Sequence, residues 1–287
     1  MKIAITGSRG LLGSQLKVHL EEKGLKVISG NRPDINIASY ESMKKFLNPS
    51  ITYLFNCSAY TDVPAAEENQ KQAYLVNASA AGTLAKVCLE YNIHLIHFST
   101  DFVFDGKSTI PYKESDETNP LNYYGLSKLH GERAIQRKMK DNLKYTIFRI
   151  QWLYGNNDKT FFSKILSIAR QGKPLSIVTD EMGSPCSVKF ISDALYRVFF
   201  KRDIRRLRGK LFNLTHNDYC SRFQCGNYFL EKMGFPNYAS PVKDLPLGKV
   251  NRPKFGVLDN TPLKKILKGR LGTWKKDLDD YIAEIKC

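Results

Sequence analysis

The chain has 287 residues, and its composition of 42% hydrophobic and 25% charged residues is typical of a globular protein with a sizeable core. No apolar run approaches the roughly 20 residues that cross a bilayer. Met1 leads directly into a strand-like segment, without the apolar core of a signal peptide. We therefore expect a cytoplasmic protein without a membrane span.

The net charge of +16 is concentrated in part at residues 201–210, where six of ten side chains are basic. Such a run can serve nucleic acid, an anionic membrane or phosphorylated small ligands, but it is more often a solvated surface. The sequence has neither zinc-finger spacing nor an aromatic and basic RNA-binding signature. We interpret the run as a solvated face and expect no nucleic-acid partner.

The cysteines form no CxxC pair and have no histidines nearby at metal-ligand spacing. This pattern favours reduced thiols over disulfides and predicts no metal site. The six residues are Cys57, Cys88, Cys186, Cys220, Cys225 and Cys287.

Short apolar runs alternate with amphipathic segments through the first half of the chain. The runs predict strands at 2–6, 25–28, 52–59, 93–100 and 145–150. The amphipathic segments predict helices at 11–23, at 65–91 and from about Pro120, with Asn119 as the N-cap of the last one. This alternation indicates an α/β fold, in which crossover helices join the strands of a doubly wound parallel sheet of the Rossmann type.

Beyond residue 150 the alternation weakens, and turn-rich segments separate short helical patterns. This favours a smaller, mixed lobe for the substrate. We predict a dinucleotide-binding domain at 1–150 and a mainly substrate-binding lobe at 151–287. Segments at about 187–215 are expected to return to the first domain.

A glycine-rich turn, "TGSRGLLG" at 6–13, follows the first strand and opens the first helix. Gly7 would permit a tight turn, Gly10 would let the backbone approach a pyrophosphate, and Gly13 would let helix and strand pack closely. The helix N-terminus favours an anionic phosphate. The loop therefore predicts a dinucleotide site.

The end of the second predicted strand carries no acidic residue to bind a ribose 2′-hydroxyl. Arg32 stands there instead and can accommodate a 2′-phosphate, so NADPH is the expected cofactor, with NADH as the alternative. Asp34 follows, and its carboxylate can accept a hydrogen bond from the adenine amino group.

Polar side chains end the next predicted strand, at Ser99, Thr100 and Asp101. This carboxyl edge is where open α/β sheets bind their ligands. A hydroxyl such as that of Thr100 would polarise a carbonyl oxygen and hold it beside a proton donor.

The proton donor is predicted on the helix that follows, where Tyr124 precedes Lys128 by one turn. A nearby ammonium would lower the pKa of the Tyr124 phenol from about 10 toward neutrality, where proton transfer is efficient. Tyr123 and Ser127 have the same spacing but lack this electrostatic coupling. We therefore predict Tyr124 as the acid and Tyr123 as a packing neighbour.

Taken together, these motifs resemble the dTDP-4-dehydrorhamnose reductase family of the extended short-chain dehydrogenase/reductase superfamily. The matching stretches run in order through nearly the whole chain: "TGSRGLLG" (6–13), "CSAYTDV" (57–63) with Glu67 beyond it, "STDFVFDG" (99–106), "NPLNYYGLSKLHGE" (119–132), "RIQWLYG" (149–155), "DEMGSPC" (180–186) and "RPKFGVLD" (252–259).

The resemblance implies roles for individual residues. Its catalytic threonine, tyrosine and lysine fall on Thr100, Tyr124 and Lys128. Its substrate contacts fall on Thr100, Asp101 and Trp152. Its cofactor loops fall on Gly10, Leu11 and Leu12, on Asp34 and Ile35, and on Ala59, Tyr60 and Thr61.

The implied reaction is the NAD(P)H-dependent reduction of the C4 ketone of a nucleotide-linked 4-keto-6-deoxy sugar, foremost dTDP-4-dehydrorhamnose to dTDP-rhamnose. A homodimer is left open. Four positions depart from the family pattern: Pro64 for aspartate, Glu181 for glutamine, Cys186 for threonine and Gly256 for serine. Most lie in the half expected to bind the sugar nucleotide, so the sugar and the base stay open.

Two other functions are compatible with the same residues. A reductase or epimerase for another sugar nucleotide shares the tyrosine and lysine, whereas a 4,6-dehydratase would need a glutamate where this chain has Phe102. A non-catalytic subunit that keeps the cofactor pocket and regulates a partner enzyme is the alternative from a different class.

Overall fold

A six-stranded parallel sheet forms the centre of the computed structural model, which describes residues 1–157, 159–243 and 250–286. The strands in this part of the chain are β1 (Lys2–Thr6), β2 (Lys26–Gly30), β3 (Ile51–Asn56), β4 (His94–Thr100), β5 (Tyr145–Ile150), β6 (Leu153–Tyr154), β7 (Ser176–Val178), β8 (Met182–Gly183), β9 (Cys186–Ser187), β10 (Lys210–Asn213), β11 (Cys220–Ser221) and β12 (Ser240–Val242).

Helices flank the sheet, and two clusters of buried apolar side chains provide its core. The α-helices within the described ranges are α1 (Leu11–Glu22), α2 (Tyr40–Phe46), α3 (Val63–Glu68), α4 (Gln70–Tyr74), α5 (Ala80–Glu90), α6 (Tyr123–Lys138), α7 (Phe161–Arg170), α8 (Val188–Phe200), α9 (Arg222–Lys232), α10 (Thr261–Ile266) and α11 (Trp274–Lys286). No helix of this part of the chain is both long and apolar enough to span a membrane.

The strand order β10, β5, β4, β3, β1, β2 confirms the predicted doubly wound sheet. β1 pairs in parallel with both β2 and β3. The order of the strands therefore reverses beside β1, and the crevice that such a reversal creates opens at the carboxyl ends of β1 and β3.

The single helix predicted at 65–91 is wrong. α3 ends at Asn69, whose backbone leaves the helical region with φ −113° and ψ 48°. After α4 the chain makes a π-helical turn at Leu75–Ser79 before α5 begins. Turns of this kind occur frequently at functional sites.

The predicted start of α6 is also wrong. The helix begins at Tyr123, and its N-cap is Asn122 rather than Asn119. The Asn122 side chain accepts a hydrogen bond of 2.9 Å from the Gly125 amide. Because this bond satisfies an amide of the first turn, Asn119 and Pro120 remain outside the helix.

Parts of the second half of the chain return to the central sheet. α8 packs against α1, and β10 pairs in parallel with β5. A third cluster of buried side chains, which includes Phe162, Phe229 and Trp274, forms a separate core for other C-terminal elements. The domain boundary at residue 150 stays a prediction.

Asp277 of α11 ties this second core to the rest of the molecule. Its carboxylate accepts hydrogen bonds from Tyr154 Oη (2.8 Å), Ser187 Oγ (2.6 Å) and Ser187 N (2.7 Å), and it lies 3.0 Å from His216 Nε2. Burial acts to raise the pKa of Asp277, but His216 and Ser187 outweigh it and hold the pKa below 3.8. The cluster therefore stabilises the fold with Asp277 ionised.

α6 is fixed to β5 by a buried ion pair. Arg149 donates from Nε to Glu132 Oε1 (3.0 Å) and from Nη2 to Oε2 (2.8 Å). The two side chains are only 4% and 3% exposed. The guanidinium also lies 4.9 Å from the centre of the Phe104 ring. Since both charges are withdrawn from water, each depends on the other.

We expect Glu132→Gln to lower the free energy of unfolding by about 3–5 kcal/mol, because it leaves the Arg149 charge buried without a partner. Urea denaturation followed by circular dichroism measures this change. Glu21→Gln is the matched control, because Glu21 forms an exposed pair with Lys17 and should change stability by less than about 1 kcal/mol. Equal effects of the two substitutions would contradict the assigned role of the buried pair.

Candidate active site

The candidate active site lies where the carboxyl ends of β1, β3 and β4 meet. Thr6 Oγ1 donates a hydrogen bond of 2.8 Å to Asn56 Oδ1, and Asn56 Nδ2 lies 3.0 Å from His97 Nδ1. All three side chains are buried. They hold the three strand ends in a fixed relation beneath the loops that follow.

The glycine loop needs glycine at two of its three positions for steric reasons. Gly7 has φ +73°, and a Cβ there would lie 2.7 Å from the Ser58 amide nitrogen. A Cβ at Gly13 would lie 2.2 Å from the Gly7 carbonyl oxygen. Gly10 is the N-cap of α1 and provides no capping side chain, so the first amides of the helix can face an anion.

Asn31 attaches the glycine loop to the end of β2. It donates from Nδ2 to Ser8 Oγ (2.7 Å) and accepts from the Arg9 amide (2.9 Å). The predicted cofactor residues Arg32 and Asp34 follow it and are exposed, whereas Ile35 is buried. Of the other predicted cofactor residues in this loop, Leu11 is partly exposed and Leu12 is buried in the core.

The predicted cofactor segment Ala59–Thr61 is fixed by Asn77, which sequence reasoning missed. Asn77 accepts from the Tyr60 amide (2.8 Å) and donates both to the Tyr60 carbonyl (3.0 Å) and to Ser127 Oγ (2.9 Å). Asn77 belongs to the π-helical turn, and it joins this segment to α6. A π-helical turn often marks a functional site, but sequence periodicity does not reveal such a turn.

Tyr124, Thr100 and Asp101 form a chain of hydrogen-bonding groups. The Tyr124 hydroxyl faces Thr100, whose hydroxyl acts to lower the pKa of the phenol. Thr100 Oγ1 in turn donates to Asp101 Oδ1 at 3.0 Å. The Tyr124 ring meets Phe102 edge to face, with 5.6 Å between ring centres. The structure thus brings Tyr124 of α6 together with Thr100 and Asp101, which the sequence placed at the end of a strand.

The predicted electrostatics of Tyr124 are wrong. Burial raises the pKa of Tyr124 to about 12, despite the opposing hydrogen bond from Thr100. The Lys128 ammonium is not among the groups that shift this pKa, and its Nζ donates to the Phe98 carbonyl at 2.5 Å. The phenol is therefore fully protonated at neutral pH in this structure, as a proton donor must be.

Burial also shifts the two charged neighbours of Tyr124. It lowers the pKa of Lys128 to about 8, although Glu132 and Cys57 oppose the shift. It raises the pKa of Asp101 to about 7, although Thr100 opposes the shift. Both groups thus titrate within reach of physiological pH, which is typical of functional sites.

The first turn of α6 is anchored by Glu67, which, like Asn77, has a structural role that was not predicted from the sequence. Glu67 Oε1 of α3 accepts a hydrogen bond of 2.6 Å from the Tyr123 amide. The N-cap Asn122 donates to the carbonyl of Asn251 at 2.9 Å. The helix start that carries Tyr124 is therefore anchored on both sides.

Trp152, the predicted substrate contact, has an unusual backbone for a non-glycine residue, with φ +45°. The guanidinium of Arg222, at the start of α9, lies 3.7 Å from the centre of its ring system. Gly183 leaves room for the indole, because a Cβ there would lie 2.6 Å from Trp152 Cε2. Arg222 was not identified from the sequence, because no local pattern marks it.

Three of the four departures from the family pattern lie in the part of the molecule around Trp152. Glu181 contacts Arg222, with 3.4 Å between Oε2 and Nε. Gly256 faces Asp101, since a Cβ there would lie 2.6 Å from Oδ2. Cys186 is buried, with Sγ 3.4 Å from the Ser184 carbonyl. Pro64 lies apart from them, exposed in the first turn of α3.

Other functional groups were sought among residues 1–157, 159–243 and 250–286. Within these ranges no group of three or more histidine, cysteine, aspartate or glutamate side chains could hold a metal ion. Cys57, Cys88, Cys186, Cys220 and Cys225 are free thiols. Cys287 lies outside the described residues.

Comparison with known proteins identifies the family. The model of the RmlD substrate binding domain matches residues 1–287. The spore coat polysaccharide biosynthesis protein SpsK of Bacillus subtilis is 29% identical over 286 residues, which cover 99% of this chain and 97% of SpsK.

Two solved structures are similar along their whole length. A dTDP-4-dehydrorhamnose reductase from Clostridium acetobutylicum superposes with a TM-score of 0.92 at 29% identity, covering 100% of both chains. The dTDP-4-dehydrorhamnose reductase of Bacillus anthracis, in complex with NADP, has a TM-score of 0.88 at 25% identity and covers 99% of both. With the glycine loop, the YxxxK helix and the Thr-Asp strand end in their expected places, the chain belongs to the dTDP-4-dehydrorhamnose reductase family of extended short-chain dehydrogenases/reductases.

Proposed function

We propose that the protein reduces the C4 ketone of dTDP-4-dehydrorhamnose to give dTDP-rhamnose, using NADPH. The observation that carries this proposal is the placement of the Tyr124 hydroxyl beside Thr100 at the sheet edge and one turn from the buried Lys128. Membership of the family and the two solved relatives that bear the reductase name support the same reaction.

The glycine loop fits a dinucleotide cofactor. Side chains at Gly7 or Gly13 would collide with backbone, and Gly10 leaves the first amides of α1 without a capping side chain. A pyrophosphate can therefore approach the helix N-terminus closely. NADPH, when bound there, supplies the hydride for the ketone carbon.

Tyr124 donates the proton to the ketone oxygen as negative charge develops on it. Its raised pKa keeps the proton in place until then, and Thr100 orients the oxygen. Lys128 holds a ribose hydroxyl of the cofactor.

We expect Tyr124→Phe to lower kcat by roughly 10²- to 10⁴-fold, because the general acid is lost. The rate is followed by NADPH absorbance, with the product identified by NMR. Tyr123→Phe is the matched control, because its neighbouring hydroxyl has no part in the proposed chemistry. NADPH binding, measured by fluorescence, should be unchanged in both variants.

A Tyr124→Phe enzyme that retained a rate near that of the wild type would contradict the role of Tyr124. A wild-type protein that turned over no 4-keto-6-deoxy sugar nucleotide, while still binding NADPH, would instead contradict the proposed function as a whole.

The pH dependence of kcat/KM should reflect the ionisation of Asp101 and of Lys128. As pH rises through about 7, Asp101 ionises and draws the Thr100 proton to itself, away from the substrate oxygen. As pH rises through about 8, Lys128 loses its charge. We therefore expect kcat/KM to fall in two steps on the alkaline side, because kcat/KM reports groups of the free enzyme.

In the Asp101→Asn variant, kcat/KM should no longer fall near pH 7, but it should still fall near pH 8. Steady-state rates from pH 5.5 to about 9.5, with a stability check at each pH, measure both steps. An Asp101→Asn profile that still declined from pH 7 would assign that step to a different group.

Arg32 should select NADPH over NADH, because it is an exposed cation that follows Asn31, the residue bonded to the glycine loop. We expect Arg32→Ala to raise the KM for NADPH by roughly tenfold and to leave the KM for NADH unchanged, since only NADPH carries the 2′-phosphate. Arg205→Ala removes another exposed cation, which precedes β10 at the opposite edge of the sheet from β2, and should change neither KM. An unchanged NADPH to NADH preference in Arg32→Ala would refute this assignment.

A further inference from the structure

Glu181 and Arg222 are joined through both backbone and side chain. The Arg222 amide donates to the Glu181 carbonyl at 3.0 Å, and Nε lies 3.4 Å from Glu181 Oε2. The adjacent residues Met182 and Ser221 pair in the short antiparallel ladder of β8 and β11. The guanidinium is thus held in one place by the fold, as a recognition group must be.

This pair lies next to the proposed reaction centre. Gly256 lies between the Glu181–Arg222 pair and Asp101. Its amide donates to the Met182 carbonyl at 2.9 Å, and a Cβ at this position would lie 2.6 Å from Asp101 Oδ2. Arg222 and Asp101 affect each other's charge state. Asp101 is bonded to Thr100, the residue that orients the ketone oxygen.

Arg222 uses only part of its hydrogen-bonding capacity. Its Nε faces Glu181, and the guanidinium lies 3.7 Å from the centre of the Trp152 ring system and 5.1 Å from that of Phe161. Within the described residues, no hydrogen bond leaves Nη1 or Nη2. The side chain is 16% exposed, and neither terminal nitrogen is among the fully buried polar atoms that lack a partner. These two donors therefore reach solvent and are available to a ligand.

We propose that Arg222, with Glu181, is a substrate-specificity residue that binds hydroxyl oxygens of the 6-deoxy sugar ring through its terminal nitrogens. This rests on the proposed function, and it names a contact within that site. A guanidinium beside a carboxylate offers donors and acceptors together, which matches hydroxyl groups.

The position of Arg222 favours the sugar over the diphosphate. Glu181 and Asp101 lie within electrostatic range of the guanidinium, and so does the cation Arg252, so the charges alone do not select between the two groups. Asp101 is bonded to Thr100, the residue that orients the ketone oxygen, so a ligand group at Arg222 is expected to belong to the same sugar ring. The cation–π contact with Trp152 further orients the guanidinium, so the predicted contribution of Trp152 to substrate binding acts through Arg222.

The test compares Arg222→Met, Arg222→Lys and Glu181→Gln with the wild type, using dTDP-4-dehydrorhamnose as substrate and dTDP alone as a competitive inhibitor. Arg205→Met is the control, because this arginine is 82% exposed and paired only with Asp203. Thermal unfolding and NADPH fluorescence establish that each variant is folded and binds cofactor.

For Arg222→Met we expect the KM for the sugar nucleotide to rise roughly 10- to 100-fold, as the loss of charged hydrogen bonds implies. kcat and the inhibition constant of dTDP should stay within about threefold of the wild type, because the base and diphosphate contacts remain. Glu181→Gln and Arg222→Lys should raise KM in the same direction by a smaller factor, and Arg205→Met should not change it.

An unchanged KM in folded Arg222 variants would overturn the proposal and leave Arg222 a packing residue. A similar rise in the inhibition constant of dTDP would also overturn the proposal, since the contact would then be to the diphosphate. If Arg222→Met does not fold, the test rests on Glu181→Gln and Arg222→Lys. An unchanged KM in both of these variants would then refute the proposal. Absence of turnover in the wild type would instead reject the proposed function.

Discussion

The geometry of the site depends on the buried ion pair between Glu132 and Arg149. This pair prevents α6 from sliding along β5, because any displacement would leave one charge in the core without its partner. The same helix presents Tyr124 and Lys128 to the sheet edge. Hydrogen bonds from Asn77 to Ser127 and from the Tyr123 amide to Glu67 hold the same helix. A proton donor on one helix is thus aligned with a strand end on another element by contacts that take no part in the chemistry.

Local pattern was sufficient to predict the sheet, the glycine loop and the residues of the proposed catalytic group, because alternation and spacing are properties of neighbouring residues. The start of α6 was missed because Asn119 and Asn122 are both good N-caps, and tertiary contacts, with Asn251 and Glu67 at the observed start and with Asp105 at Asn119, distinguish them. The pKa of Tyr124 was predicted in the wrong direction, because burial outweighs a lysine that bonds to Phe98 instead. Asn77 and Arg222 act on residues far away in the sequence, so no local signal marks them.

Two of the four departures from the family pattern, Glu181 and Gly256, are neighbours in space, whereas Pro64 lies apart. Glu181 is paired with Arg222, and Gly256 leaves the space that the Asp101 carboxylate approaches. Both positions adjoin Met182, so a change at one alters the surroundings of the other. Such a group of neighbouring changes can alter which sugar is accepted while leaving Tyr124, Thr100 and Lys128 in place. Sequence divergence within this family is therefore most informative where it is spatially clustered.

The Asp277 cluster has a consequence for the order in which the chain acquires its structure during synthesis. Tyr154, Ser187 and His216 all precede Asp277 along the chain, and each needs its carboxylate as a partner. Likewise, the edge of β5 that faces away from β4 stays unpaired until β10 (Lys210–Asn213) has been synthesised. A ribosome-bound chain that ends before α11 therefore holds an open sheet edge or three unsatisfied polar groups. Native packing of the C-terminal core is a late event, and the nascent chain is most exposed to aggregation just before it.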